Sequence, residues 1–223
     1  MARSVPDIFP LDKAVFGGSY NPVHRGHLDL GIYIIEKKYC RDIFFMPAGV
    51  SPFKVDDPPI RAEDRLEMIK LAIESIEIPE IKKHIMSLDI EVMRGGPSFT
   101  CDSMKELRMR FPGQKIGFVL GADSLASFEK WKNPSEILRY HPLLVLKRNR
   151  EEDKNPPPVR ERLLDLFSAD NPVIEMVENP VIKCSSTSIR QILKEQGSGN
   201  RKGLEECLPG PVLDYVIERK LYK

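Results

Sequence analysis

The chain has 223 residues, 41% of them hydrophobic, which is long enough for one well-buried core and too apolar for a disordered polymer. Lys and Arg total 34 against 33 Asp and Glu, for a formal net charge of +1, so there is no broad basic field for long nucleic acid and any anion site must be local. No apolar stretch approaches the roughly 20 residues that span a bilayer, and Met1–Asp12 lacks the apolar run of a signal peptide.

Short apolar runs predict strands at Ala14–Phe16, Ile43–Met46, Leu88–Val92, Ile116–Leu120, Leu143–Leu146 and Val173–Val177. Helical patterns fall at Leu28–Lys38, Arg61–Ile76, Asp102–Arg110, Ser135–Tyr140, Val159–Phe167, Ser188–Glu195 and Pro211–Lys220. The alternation implies a Rossmann-like α/β fold, a doubly wound and mostly parallel sheet with helices on both faces. Ligands of such sheets lie at the carboxyl ends of strands. Glu151–Pro158 reads as a charged, proline-rich loop with a solvated Glu151–Asp153 run. Neither it nor Gln196–Gly203 is long enough for an interdomain linker. A single domain over 1–223 is expected, with 1–12 as an extension and 196–223 as a closing loop and helix.

The first predicted strand runs into Gly17-Gly18-Ser19-Tyr20-Asn21-Pro22-Val23-His24-Arg25-Gly26-His27. Two glycines clear side chains from a turn that brings backbone against phosphate, and Pro22 stiffens it. The next helix offers free N–H groups and the positive end of its dipole to an anion. His24 and His27, three apart, share a face on that first turn and can donate to charge developing on a phosphate. A plain glycine turn with two surface histidines is the competing reading. The complete order of these elements at a strand-to-helix junction favours the phosphate site.

This stretch resembles the GG[ST]F[DN]PxHxGH signature of the nucleotidylyltransferase superfamily. Further pieces narrow the resemblance to the bacterial nicotinate-nucleotide adenylyltransferases: Met46-Pro47-Ala48-Gly49 with Pro52 and Lys54, Arg65, Gly96-Pro97-Ser98-Phe99-Thr100-Cys101-Asp102, Leu120-Gly121-Ala122-Asp123-Ser124 with Trp131, Ser185-Ser186-Thr187-Ser188-Ile189-Arg190, and Leu208-Pro209 with Val212 and Tyr215. The match runs in order from about Lys13 to Tyr222. Four positions depart from the pattern. Tyr20 replaces Phe, Asn21 is the rarer choice, Phe53 replaces a His, and Cys184 replaces an aliphatic residue.

The resemblance implies a cytoplasmic enzyme that transfers AMP from ATP to nicotinate mononucleotide, giving deamido-NAD and pyrophosphate with magnesium. The small-molecule partners would be ATP and nicotinate mononucleotide, with no nucleic acid and no membrane; assembly into a homo-oligomer is left open. His24, His27 and Arg190 would carry catalysis. Gly17, Gly18, Ser19, Tyr20, Gly121 and Asp123 would line the ATP site with them. Ser185, Ser186 and Thr187 would take the β- and γ-phosphates, although capping a helix alone also explains a Ser/Thr cluster there. The fork of Arg190, a turn further on, shifts the balance toward phosphate. Lys54, Thr100 and Trp131 would hold the mononucleotide, Trp131 by stacking on the pyridine ring.

No Ser or Cys nucleophile with a paired base stands out, so direct attack of the acceptor phosphate on the α-phosphorus is expected. Magnesium should sit on phosphate oxygens and water, without a dedicated protein metal site. The alternatives are adenylyl transfer to nicotinamide mononucleotide or to phosphopantetheine, and a catalytically inactive nucleotide-sensing module. The four cysteines, at 40, 101, 184 and 207, form no CxxC pair and are expected as reduced thiols, Cys184 as a small buried hydrophobe. Cys101, at a helix start, is a candidate for a lowered pKa and raised reactivity. Met104 and Met109 read as helix packing, and His84 and His141 have no assigned role.

Overall fold

A computed structural model describes residues 9–50, 60–147, 159–196 and 201–222. Among them, six parallel strands form one sheet: β1 (Leu11–Gly18), β2 (Cys40–Pro47), β3 (Ile85–Ser87), β4 (Ile116–Gly121), β5 (Leu143–Leu146) and β6 (Ile174–Val177). Their order is β3-β2-β1-β4-β5-β6, so the chain reverses direction across the sheet between β1 and β4. That is the Rossmann-like arrangement expected, and in such sheets ligands bind at the carboxyl ends of the strands flanking the switch point, here β1 and β4.

Burial on both faces explains why these strands are nearly continuous apolar runs. Ala14 and Phe16 of β1, with Ile43 and Phe45 of β2, join one core. Val15, Phe44 and Met46, the residues between them, join the other. The same division separates Val119 from Phe118 and Leu120, and Leu144 from Leu143 and Val145.

The helices are α1 (Arg25–Glu36), α2 (Ala62–Glu74), α3 (Pro79–Lys82), α4 (Ile90–Arg94), α5 (Thr100–Arg110), α6 (Ala122–Ala126), α7 (Pro134–Tyr140), α8 (Val159–Leu166), α9 (Ser186–Gln196), α10 (Arg201–Glu205) and α11 (Gly210–Glu218). Residues of α1, α2, α9 and α11 pack into the first core, and residues of α5, α7 and α8 into the second. Buried Asp64 of α2 fixes the closing helix, accepting from the Tyr215 hydroxyl at 2.8 Å and from Arg219 at 3.3 Å.

The expected strand Leu88–Val92 is wrong. The third strand lies just upstream at Ile85–Ser87, and Ile90–Arg94 is one turn of helix. Leu88, Ile90 and Val92 alternate like a strand, but adjacent Ile90 and Glu91 are both buried, which a strand with one buried face cannot do. Met109 also departs from expectation: Met104 is fully buried, whereas Met109 is 67% exposed. His84 and His141 have structural partners, Asp42 Oδ1 at 2.8 Å and the Ile116 carbonyl at 2.9 Å. The loop Glu151–Pro158 lies outside the described residues, as does 197–200 of the expected connector.

Candidate active site

β1 delivers the glycine turn to the switch point. A Cβ on Gly17 would come within 2.6 Å of the Phe118 ring, and one on Gly18 within 3.1 Å of the Tyr20 ring. The glycines are therefore required first by packing around the turn. Tyr20 has a left-handed backbone (φ 47°) and folds its ring inward, 2% exposed, against Phe16, Phe45 and His27. Its hydroxyl donates to the Phe16 carbonyl at 2.5 Å. This satisfies the polar tip that distinguishes it from Phe, and it leaves the backbone of Tyr20 as the part that can meet a ligand. Burial pushes the phenol pKa well above its usual value.

His24 caps α1 in an extended conformation, and His27 is the third residue of that helix. Their rings stack with centroids 3.8 Å apart. The His24 N–H donates to His27 Nδ1 at 3.2 Å, which fixes the neutral His27 ring with its proton on Nε2. The donor of such a ring is on the atom farthest from the backbone. Gly26, between them, has no room for a side chain, since a Cβ would lie 2.3 Å from Ile182. The glycine of this motif lets the segment entering α9 press onto the first turn of α1.

That contact joins the two motifs read as phosphate sites. Ser186 Oγ donates to the Pro22 carbonyl at 2.9 Å, and Arg190 Nη1 donates to the Asn21 carbonyl at 2.8 Å. Ser185 caps α9, its carbonyl accepting from Ile189 N–H at 3.0 Å and its hydroxyl from Ser188 N–H at 3.4 Å. α9 starts two residues earlier than the sequence pattern indicated, and Thr187 is exposed in its first turn. Beside it, Cys184 and Cys207 form a disulfide, against the expectation of reduced thiols. The half-buried Cys184 is not the isolated small hydrophobe expected either. The Cys207 carbonyl accepts from Arg25 N–H at 2.8 Å, so this bridge links the start of α9 to the start of α1.

The other wall begins at β2. Gly49 N–H donates to Ser98 Oγ at 2.8 Å, Ser98 N–H donates to the Val50 carbonyl at 2.9 Å, and Val50 and Pro97 form a parallel bridge. Beneath them Glu91, 4% exposed, accepts from Ser103 Oγ at 2.7 Å. Burial raises the Glu91 pKa, against the pull of hydrogen bonds from Ser103 and Ser98 and the charge of Arg94. Arg94 is engaged with Glu106 at 2.7 Å and Ser103 at 3.1 Å. Gly95 and Gly96 take positive φ values of 67° and 68°, a turn suited to glycine, and lead to Thr100 at the first position of α5.

Trp131 packs on Phe128 and Phe118 with centroid distances of 5.1 and 6.0 Å and stays partly exposed. Lys132 pairs with Asp102 at 2.9 Å and lies over the Phe99 ring, which ties the segment after Trp131 to the start of α5. Asp123 lies in the first turn of α6, its Oδ1 2.6 Å from where a Cβ on Gly121 would stand.

His24, His27, Ser186 and Arg190 thus meet around one loop, Gly121 and Asp123 lie at the end of the neighbouring strand, and Lys132, next to Trp131 in the chain, pairs with Asp102 in the first turn that Thr100 opens. Lys54 lies outside the described residues. Cys101 is buried, and burial together with Asp102 raises its thiol pKa, which removes the expected reactive thiol. The roles of Glu91, Ser98, Ser103 and Lys132 escaped sequence reasoning because each acts through a partner distant in the chain. Among the described residues, no group of three or more His, Cys, Asp or Glu side chains converges as a metal site, and no helix is long and apolar enough to cross a membrane.

The histidine pair of α1 and the Ser/Arg start of α9 are joined at this switch point, and the chain is a nucleotidyltransferase of the cytidylyltransferase-like family, which matches residues 15–192. A probable nicotinate-nucleotide adenylyltransferase of Caldicellulosiruptor saccharolyticus is 34% identical over 96% of this chain and 100% of its own length. Its counterpart from Caldicellulosiruptor bescii is 31% identical over the same shares. The chain belongs to the nicotinate-nucleotide adenylyltransferase family. Its fold also matches the nicotinic acid mononucleotide adenylyltransferase of Plasmodium falciparum complexed with NaAD. The TM-score is 0.73 and the identity 17%, covering 94% of this chain and 96% of that one.

Proposed function

We propose that this chain transfers AMP from ATP to nicotinate mononucleotide, giving deamido-NAD and pyrophosphate for NAD synthesis. The observation that carries the reading is the pair of bonds from Ser186 and Arg190 to the carbonyls of Pro22 and Asn21, which assemble two anion-binding helix starts into one site. The names of the family relatives support the choice of acceptor.

A phosphate oxygen of the mononucleotide attacks the α-phosphorus of ATP in line. The bond to the oxygen bridging the α- and β-phosphates breaks, and pyrophosphate leaves with the electron pair. The nucleophile is already an anion and needs no general base. Catalysis is positioning together with charge stabilisation, by His27 Nε2–H, His24, Arg190 and backbone N–H groups. Ser185, Ser186 and Thr187 hold the β- and γ-phosphates, while Gly17, Gly18, Ser19, Tyr20, Gly121 and Asp123 take the rest of the nucleotide. The donor set is imidazole, guanidinium and hydroxyl, which suits an anion. Magnesium therefore fits as an ion carried on ATP oxygens and water, where it would neutralise charge on the leaving pyrophosphate.

Thr100 and the first-turn N–H groups of α5 receive the acceptor carboxylate, Trp131 stacks on the pyridine, and Lys54 meets the acceptor phosphate. With Arg94 held by Glu106, selection of acid over amide rests on hydrogen-bond donors. The chain acts as a single domain, in the cytoplasm.

Pyrophosphate release measured with ATP and magnesium against nicotinate mononucleotide, nicotinamide mononucleotide and phosphopantetheine tests this reading. Nicotinate mononucleotide should lead the amide by at least roughly a hundredfold in kcat/KM. Equal values for acid and amide would replace the donor-only pocket with a dual-specificity site, and no release with any acceptor would leave an inactive nucleotide sensor.

A further inference from the structure

Arg65 on α2 is 1% exposed, and its partners are backbone oxygens of three separate segments. Nε donates to the Ile60 carbonyl at 3.0 Å, Nη1 to Ser19 at 2.8 Å and Nη2 to Gly49 at 2.8 Å. Ser19 lies in the ATP-side loop after β1. Gly49 lies in the acceptor-side loop after β2, where its N–H is held by Ser98. The nearby carboxylates have other partners, since Asp64 serves Tyr215 and Arg219 and Glu91 serves Ser103.

A buried charge is expensive, and an aliphatic side chain would fill the same space at lower cost. What the guanidinium adds is reach, because its three nitrogens each meet a separate carbonyl, whereas a lysine would have to hold all three from a single nitrogen. Carbonyl partners also mean that it fixes the path of the backbone itself. Ala48 N–H to the Gly18 carbonyl at 2.9 Å ties the same two loops in parallel.

We infer that Arg65 is a positioning residue that holds the ATP loop and the acceptor loop in one register, so that the attacking oxygen and the α-phosphorus meet aligned. The inference rests on the transfer reaction proposed above. Arg65 and the Ala48 bond set the register of the two loops, so each ligand binds without ordering the site of the other. Loosening them makes each ligand pay to order a loop that the other then uses, which creates positive coupling without any new contact.

Calorimetry with α,β-methylene-ATP and nicotinate mononucleotide, each titrated in the absence and presence of the other, tests this. Arg65→Lys should raise KM for both substrates and lower kcat by roughly ten- to a hundredfold, the scale of a small misplacement of reacting groups. Its ligand coupling should exceed that of the wild type by about fivefold or more, the onset of a typical allosteric coupling. Asp170→Asn, which loses the Arg139 bridge at the opposite ends of the strands, controls for lost stability and should keep wild-type coupling. Equal coupling in wild type and Arg65→Lys, with both ligands bound, would overturn the inference while leaving the transfer reading intact. A wild type that binds neither ligand would sink both. If Arg65→Lys does not fold, amide exchange in the wild type decides. Ala48 and Gly49 should be protected before any ligand is added, and protection that arises only with ligand would contradict a preset register.

Discussion

The Arg190 guanidinium donates to the Asn21 carbonyl at 2.8 Å across 169 positions of chain, so the arginine proposed for the phosphate site braces the turn that leads to the histidines. The fork of Arg190 thus has a structural use beside the phosphate contact proposed for it. Arg190→Lys keeps the charge and loses the fork. It should cost roughly a hundredfold in kcat/KM, the scale of one lost transition-state donor. Steady-state kinetics at saturating magnesium would show this, and an unchanged kcat/KM would remove Arg190 from the site.

His27→Ala removes the Nε2–H donor and should lower turnover by about a hundred- to a thousandfold while changing ATP affinity little, because the donor acts mainly on charge present in the transition state. An ATP KM that rises in step with the loss of kcat would assign His27 to ground-state binding instead.

The Cys184–Cys207 bridge closes a loop with a sequence separation of 23 beside both helix starts. A closed loop of that size stabilises by about 3 kcal/mol in the chain-entropy account. Cys184→Ser, or wild type treated with dithiothreitol, should melt several degrees lower and show a raised KM for ATP. Identical melting of the oxidised and reduced protein would show that the bridge contributes nothing.

His141, 4% exposed, holds the Ile116 carbonyl at 2.9 Å. Burial lowers its pKa, with the carbonyl opposing in part. Above the ordinary histidine value of about 6.5 both states are neutral, so the residue adds no pH dependence there. As pH falls through that value the unfolded chain takes a proton that the folded chain refuses, and stability drops until the lower folded pKa is reached. Melting temperatures between pH 7 and 5 should therefore fall more steeply for wild type than for His141→Gln. Parallel curves would contradict the neutral buried ring.

The legible parts of this molecule are those whose signal is local. β1, β2, β4 and β5 read as strands because both faces are buried and their apolar runs are unbroken. The glycine-histidine turn stands out because its residues adjoin, and the anion site proposed here rests on it. β3, with three residues, carries too short a signal, and the alternation of Leu88, Ile90 and Val92 drew the strand onto a helical turn. The role of Arg65 was hidden because backbone carbonyls carry no residue signature. The disulfide was hidden because spacing in sequence says nothing of the 5.4 Å between the two Cα atoms. Lys132 carries no local signal, because Asp102 and Phe99, its partners, lie some thirty positions away in the chain.

The central claim is that the joined helix starts transfer AMP to a pyridine mononucleotide. It is tested most directly by supplying ATP labelled at the α-phosphate, with nicotinate mononucleotide and magnesium, and following where the label goes. The account predicts label in a dinucleotide of the mass of deamido-NAD, formed in equal amount with pyrophosphate and suppressed about a hundredfold or more in His27→Ala. Label that stays in ATP while ATP binds, or that appears in free AMP without a dinucleotide, would contradict it.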